Sequence, residues 1–166
     1  MNEKRERILD RLIDFEIESL GRIYIKSEEY TVMDTILIFS ANKNDGLQFT
    51  QSDQDDLIAT SFQSSKEVLV PTYCDVSNDD LEIVKYSDVP NVTFPFKVKE
   101  IMEFWVGRDD KAFLFGGLLY SLDREQRLFM MTETDEIRVY DWDSIFYLVK
   151  QVPFDYGVLS VFGYGG

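Results

Sequence analysis

Residues 33–51, MDTILIFSANKNDGLQFTQ, are the stretch that decides the predicted fold. Two runs rich in β-branched and aromatic residues, Met33 to Ala41 and Leu47 to Gln51, are typical of strands. The tripeptide Asn44-Asp45-Gly46 between them supplies residues that tolerate the positive φ angles of a tight turn. The stretch therefore predicts two strands joined as an antiparallel hairpin.

More strands are predicted on both sides of this hairpin, because the same residue types recur there with a period of two. The predicted strands are Arg22 to Lys26, Glu67 to Tyr73, Leu81 to Ser87, Ala112 to Tyr120, Leu128 to Thr132, Glu136 to Tyr140 and, as a final edge strand, Tyr156 to Tyr164.

Four other segments are predicted to be helices. Three of them space their apolar residues by three and four positions, and the one that begins at Ser52 is indicated by the Ser cap and the acidic first turn that follows it. The four segments are Glu3 to Leu20 with Gly21 as C-cap, Ser52 to about Ser64, the segment with Val98, Ile101, Met102 and Trp105, and Asp141 or Asp143 to Pro153. Strands mixed with helices, without a regular alternation, predict an α+β fold with a largely antiparallel sheet. We expect residues 1–166 to form one such domain with N-terminal, middle and C-terminal helices, and no internal repeat or linker is evident.

The charge of the chain excludes several classes of function. The net charge is −14, from 31 Asp and Glu against 17 Lys and Arg, and there is no histidine. Such a chain repels nucleic acid phosphates and anionic membranes, so neither is an expected partner. The absence of imidazole also removes the commonest general base and metal ligand at neutral pH.

The negative charge is concentrated in the middle of the chain. Residues 27–96 hold thirteen acids and three bases, whereas residues 1–26 hold six of each. A surface of one sign accelerates the association of a partner of the opposite sign. The sequence therefore predicts contact with a basic protein, although solubility alone is an alternative explanation.

No motif for a cofactor or metal is present. The glycines match neither a phosphate-binding loop nor a dinucleotide fingerprint, and the residues around Gly46 lack the ligands of an EF-hand. Cys74 is the single cysteine, so it has no disulfide partner and no histidine to activate it. We therefore expect no cofactor and no metal. We also expect a cytoplasmic protein, because the N-terminus lacks the apolar core of a secretory signal.

One family resemblance is carried by residues 112–150. The run Phe113 to Tyr120, the strands Leu128 to Thr132 and Ile137 to Tyr140, and the segment Asp141 to Leu148 resemble the closing half of SUKH-type domains. The resemblance implies an α+β cytoplasmic protein, often an immunity partner that neutralises a toxin.

These observations predict a non-enzymatic acidic protein that inhibits or neutralises a basic partner, such as a toxin or nuclease. An accessory or ligand-binding domain is the alternative, and a carboxylate-dependent enzyme with Trp105 and Trp142 stacking on sugars is the third. The expected partner-binding residues combine acids with aromatic anchors. They are Asp53, Asp55, Asp56, Tyr73, Asp75, Asp79, Asp80, Glu82, Tyr86 and Asp88.

Overall fold

The computed structural model describes residues 8–40, 45–51, 57–70, 76–108, 111–121, 126–133, 136–141 and 158–165. These residues form ten strands in one antiparallel hydrogen-bonded sheet. The strands are β1 Glu16–Ile25, β2 Tyr30–Ser40, β3 Gly46–Gln51, β4 Leu57–Phe62, β5 Leu81–Tyr86, β6 Phe96–Arg108, β7 Lys111–Ser121, β8 Arg127–Glu133, β9 Glu136–Asp141 and β10 Val158–Gly165. Three short 3-10 turns accompany them, at Ile8–Leu12, Ser65–Glu67 and Asn78–Asp80.

The hairpin predicted from residues 33–51 is confirmed. Strands β2 and β3 pair antiparallel with Phe39 opposite Gly46, and the Ser40 N–H donates to the Asp45 carbonyl over 2.9 Å. Glycine is required at position 46, because a Cβ there would lie 2.0 Å from the Ile38 carbonyl oxygen. The other predicted strands are also present, except Glu67 to Tyr73, whose residues 68–70 are irregular and whose residues 71–73 lie outside the described part.

The α+β prediction is wrong, since the described residues contain no α-helix. Within the predicted helix Glu3 to Leu20, Ile8–Leu12 is a 3-10 turn and β1 begins at Glu16, while residues 3–7 lie outside the described part. The segment around Val98 belongs to β6. Of the predicted middle helix, Leu57–Phe62 forms β4. The first part of that helix, residues 52–56, and the C-terminal helix, residues 142–153, lie outside the described residues, while Asp141 ends β9.

Bulges explain why two of these strands resemble helices in sequence. The pairing of β1 with β2 slips by one residue between Ile17 and Ser19, and the pairing of β6 with β7 slips between Val98 and Glu100. An extra residue in a strand restores the same face after three positions instead of two. Ile17 with Leu20, and Val98 with Ile101, therefore both point into the core while keeping helix-like spacing.

The strands fall into two halves with the same connectivity. Strands β1 to β4 pair in succession, and β5 returns to pair with the other side of β1. Strands β6 to β9 repeat this order, and β10 returns to β6. The halves join where β1 pairs with β6, at Glu16 opposite Lys97 and Ile17 opposite Phe96.

The two halves also agree in register. Ser40 and Ser121 close equivalent turns, because their N–H groups donate to the carbonyls of Asp45 and Gln126. Residues at equivalent positions in the two halves have the same separation in sequence as these two serines, and we call them counterparts. Other counterparts at this offset are Phe15 and Phe96, Ile17 and Val98, Leu20 and Ile101, Tyr24 and Trp105, and Leu47 and Leu128. The chain is thus a structural duplication that its sequence conceals, because the counterparts share apolar character more often than identity.

A single core joins the halves. Its buried members include Ile17, Phe49 and Leu57 from the first half and Ile101, Leu128 and Ile137 from the second. A second cluster covers the opposite face of the first half, where the rings of Phe39 and Phe62 meet edge to face at 5.5 Å. With both faces of the first half occupied, its exposed features lie at its turns and along its strand edges.

Candidate functional site: the acidic edge

Acids from two distant parts of the sequence meet beside β5. Ile25 pairs with Leu81 at the end of β1, and the Lys26 N–H donates to the Asp80 carbonyl over 2.9 Å. This pairing places the β1–β2 turn next to the start of β5. We call the resulting group the acidic edge, defined as Glu28, Glu29, Asp79, Asp80 and Glu82.

Four of the five acids are exposed, and the fifth, Asp80, is partly buried and has a structural task. Its carboxylate accepts the Ser27 backbone N–H at 2.9 Å through Oδ1, and the Ser27 hydroxyl through Oδ2. These bonds, together with the Lys26 bond to its carbonyl, hold the β1–β2 turn against β5. Asp80 therefore organises the acidic edge more than it presents charge to a partner.

Asp80→Ala is expected to lower the free energy of unfolding by about 1 kcal/mol, because it removes two charge-assisted hydrogen bonds at a partly exposed position. Asp79→Ala is the matched control, since the exposed Asp79 side chain should change stability by less than about 0.5 kcal/mol. Urea unfolding of both variants measures the difference. Equal stability of the two would contradict the structural role of Asp80.

Apolar side chains are exposed among these acids. Tyr30 follows Glu29 and is 41% exposed, and Val84 on β5 is 46% exposed. Tyrosine is enriched among the residues that dominate protein–protein binding energy. The acidic edge thus combines charge with side chains that gain from being covered.

The predicted site residues divide into four groups. Asp79, Asp80 and Glu82 belong to the acidic edge, and Asp88 is exposed beyond the far end of β5. Tyr86 is partly buried and its hydroxyl is hydrogen-bonded with Arg22. The remaining predicted residues lie outside the described part of the chain: Asp53, Asp55, Asp56, Tyr73 and Asp75.

Glu28, Glu29 and Tyr30 were not among the partner-binding residues predicted from the sequence. The pattern that indicates them is two successive acids and an aromatic residue between the predicted strand that ends at Lys26 and the one that begins at Met33. A turn at that place exposes its side chains to solvent. What the sequence did not contain was the pairing of β1 with β5, which brings this turn to Asp79 and Glu82.

Arg22 lies on β1 opposite Val84 of β5, at the irregularity in the β1–β2 pairing between Gly21 and Ile23. Its Nη1 donates to the carbonyls of Met33 and Thr35 at 3.1 and 2.8 Å, and its Nη2 donates to the Ile137 carbonyl of β9. Burial lowers the pKa of Arg22 below its ordinary value, while Tyr86 and Asp34 oppose this shift. One side chain thus bridges the irregular part of the β1–β2 pair and joins it to the second half.

Tyr86 completes this group. Burial raises the pKa of the phenol above its ordinary value, and the hydrogen bond and charge of Arg22 partly counter the effect. A raised pKa keeps the hydroxyl neutral at physiological pH. Tyr86 therefore acts as a hydrogen-bonding partner of Arg22 within the fold.

A second buried charged residue occupies the counterpart position in the other half. Glu103 is fully buried on β6, and its Oε1 accepts the indole N–H of Trp105 at 3.1 Å, while its Oε2 has no hydrogen-bond partner among the described residues. Trp105 is only 7% exposed and packs in the shared core. Trp105 is therefore not placed to stack on a sugar, and Trp142 lies outside the described residues.

Among the described residues, no group of three or more Cys, Asp or Glu side chains is arranged to hold a metal ion. No helix in that part of the chain is long and apolar enough to cross a bilayer.

Comparisons of the chain with protein-family models, curated proteins and solved structures found no match. The immunity and inhibitor roles implied by the SUKH resemblance gain no support from them. The α+β architecture that the resemblance also implied is contradicted by the strands of the described residues.

Proposed function

We propose that this chain is a non-enzymatic binding protein whose acidic edge contacts a positively charged protein partner. The observation that carries the proposal is the meeting of the Glu28–Glu29 turn with Asp79 and Glu82 on one exposed surface. Adjacent like charges repel one another, so a fold gains nothing from grouping them. A basic partner removes that repulsion on binding.

The duplication of the fold supports a functional origin for these charges. Strand β10 is the counterpart of β5, since both return to the first strand of their half. Its residues Val158–Gly165 include no acid, whereas β5, Leu81–Tyr86, carries Glu82. The second half therefore fills the position of β5 with a strand that has no acid, and the strand pairing does not require Glu82.

Net charge supports the same partner chemistry. At −14, the chain repels nucleic acid phosphates and anionic lipid headgroups and attracts cationic surfaces. Attraction between opposite charged surfaces raises association rates well above those of neutral partners. A cytoplasmic location belongs to the proposal and rests on the lone Cys74, which suits a reducing compartment.

Zero-length cross-linking tests where a partner sits. The protein, immobilised at low salt, captures proteins from a lysate of its source, and a salt step elutes those held by charge. Carbodiimide then joins carboxylates to partner lysines in the reconstituted complex, and mass spectrometry identifies the sites. We expect the cross-links to concentrate on Glu28, Glu29, Asp79 and Glu82. Cross-links at equal frequency on Glu18 and Glu67, which are exposed acids outside the acidic edge, would contradict the proposal.

A further inference from the structure

We propose that the open edge of β5 receives an extended segment of the basic partner as an additional strand. This inference rests on the proposed function and specifies how the partner is held. It is carried by the backbone of β5, whose outer hydrogen-bonding groups have no partner among the described residues, and by the neighbouring charges, which indicate what kind of segment covers them.

The hydrogen-bond pattern shows which groups of β5 face outward. Residue pairs in an antiparallel ladder alternate between those that exchange hydrogen bonds and those that do not. The bond from the Lys26 N–H to the Asp80 carbonyl fixes this alternation, so that Tyr24–Glu82 and Arg22–Val84 are bonded pairs. The N–H and C=O groups of Ile83 and Lys85 therefore point away from β1.

No strand of the described residues pairs with this outer side of β5. Its single partner there is β1, and the backbone groups of Ile83 and Lys85 make no hydrogen bond to another described residue. An edge of this kind is a template for an extended peptide, whose main chain supplies the missing donors and acceptors.

The side chains of β5 define the sequence that fits. Glu82 and Val84 are both exposed and lie on the same face, because they are two residues apart. Side chains directly opposite on an added strand come within about 5 Å of them. A basic residue and an apolar residue spaced by two positions would therefore face Glu82 and Val84.

The charges also disfavour a second copy of this chain as the occupant. Another β5 would bring its own Asp79, Asp80 and Glu82 to the same edge, where like charges are unfavourable. The edge strand β4 provides an internal comparison, because Leu57–Phe62 contains no charged residue and leaves Ile58 48% exposed. A segment that is selected by charge binds at β5 and leaves β4 free.

Amide hydrogen exchange on the full-length, isotope-labelled protein tests the inference. The probe is a peptide that repeats Lys-Thr-Val-Thr, and the control peptide repeats Glu-Thr-Val-Thr. We expect the first peptide to slow exchange of the Ile83 and Lys85 amides about tenfold at a concentration ten times its dissociation constant. The Val84 amide, already bonded to β1, should change little, and the control peptide should have no effect.

The variant Glu82→Lys should lose this protection while keeping its melting temperature, because Glu82 is exposed. Salt-sensitive binding without protection of Ile83 and Lys85 would overturn the added strand and leave the proposed function standing. Protection of β4 amides in place of β5 amides would overturn the inference as well. Absence of binding by any basic probe or partner would overturn both proposals.

Discussion

Arg22→Met is expected to lower the free energy of unfolding by about 2–4 kcal/mol. The substitution keeps the length of the side chain but removes the donors to the carbonyls of Met33, Thr35 and Ile137. Each polar group left without a partner in a buried place costs about 1–3 kcal/mol, and the Tyr86 hydroxyl loses its partner as well. Removal of the desolvated charge returns part of this cost, which sets the lower end of the range.

Thermal and urea unfolding measure the effect, which corresponds to a fall of roughly 5–15 °C in melting temperature for a chain of this size. Arg22→Lys should lie between the wild type and Arg22→Met, because an ammonium group lacks the planar fork that reaches several carbonyls. Lys85→Met is the control for loss of a cation, since Lys85 is exposed, with its Nζ 4.3 Å from the centre of the Phe39 ring. If Arg22→Met and Lys85→Met are equally stable, Arg22 does not join the two halves.

Local sequence signals predicted the strands well where turn chemistry and period two agreed. The hairpin of residues 33–51 is the clearest case, because Asp45 and Gly46 lie between two apolar runs, with Gly46 as the first residue of β3. The helices around Ile17 and Val98 were predicted wrongly for a specific reason. Bulges give those strands a three-residue spacing, and nothing in a single sequence separates a bulged strand from one face of a helix.

The candidate site was predicted in part. The excess charge of residues 27–96 pointed to Asp79 and Glu82, both of which are exposed. Composition does not show which acids are already engaged, so Asp80 was grouped with them although it fastens the turn at Ser27. The contribution of Glu28 depends on the long-range pairing of β1 with β5, which local patterns do not specify.

The duplication was also out of reach of the sequence. Counterparts such as Arg22 and Glu103 carry opposite charges, and Arg22 is partly buried whereas Glu103 is fully buried. The two residues differ in type, so residue identity does not relate them. The strand register does relate them, because they occupy equivalent positions in the two halves. The architecture needs an apolar inner face in both halves. Residues that differ at equivalent positions are features of one half only.

The largest functional effect is expected from reversing charge on the acidic edge. Glu28→Lys combined with Glu82→Lys should weaken binding of the basic partner about ten- to hundredfold at low salt, because two attractions become repulsions. Folding should be nearly unaffected, since both side chains are exposed and exposed charges usually change stability by less than about 0.5 kcal/mol each. The matched control combines Glu18→Lys with Glu67→Lys, which changes net charge equally at exposed positions outside the acidic edge.

Titration of the captured partner against the wild type and both double variants, at low and at high salt, is the most direct test of the acidic edge. We expect the control variant to stay within about threefold of the wild type, and the Glu28 and Glu82 variant to lose most of its affinity and most of its salt dependence. Equal loss in the two variants would show that only net charge matters. Equal and salt-independent binding by all three proteins would show that the acids of the edge do not contact the partner, and the proposed function would be wrong.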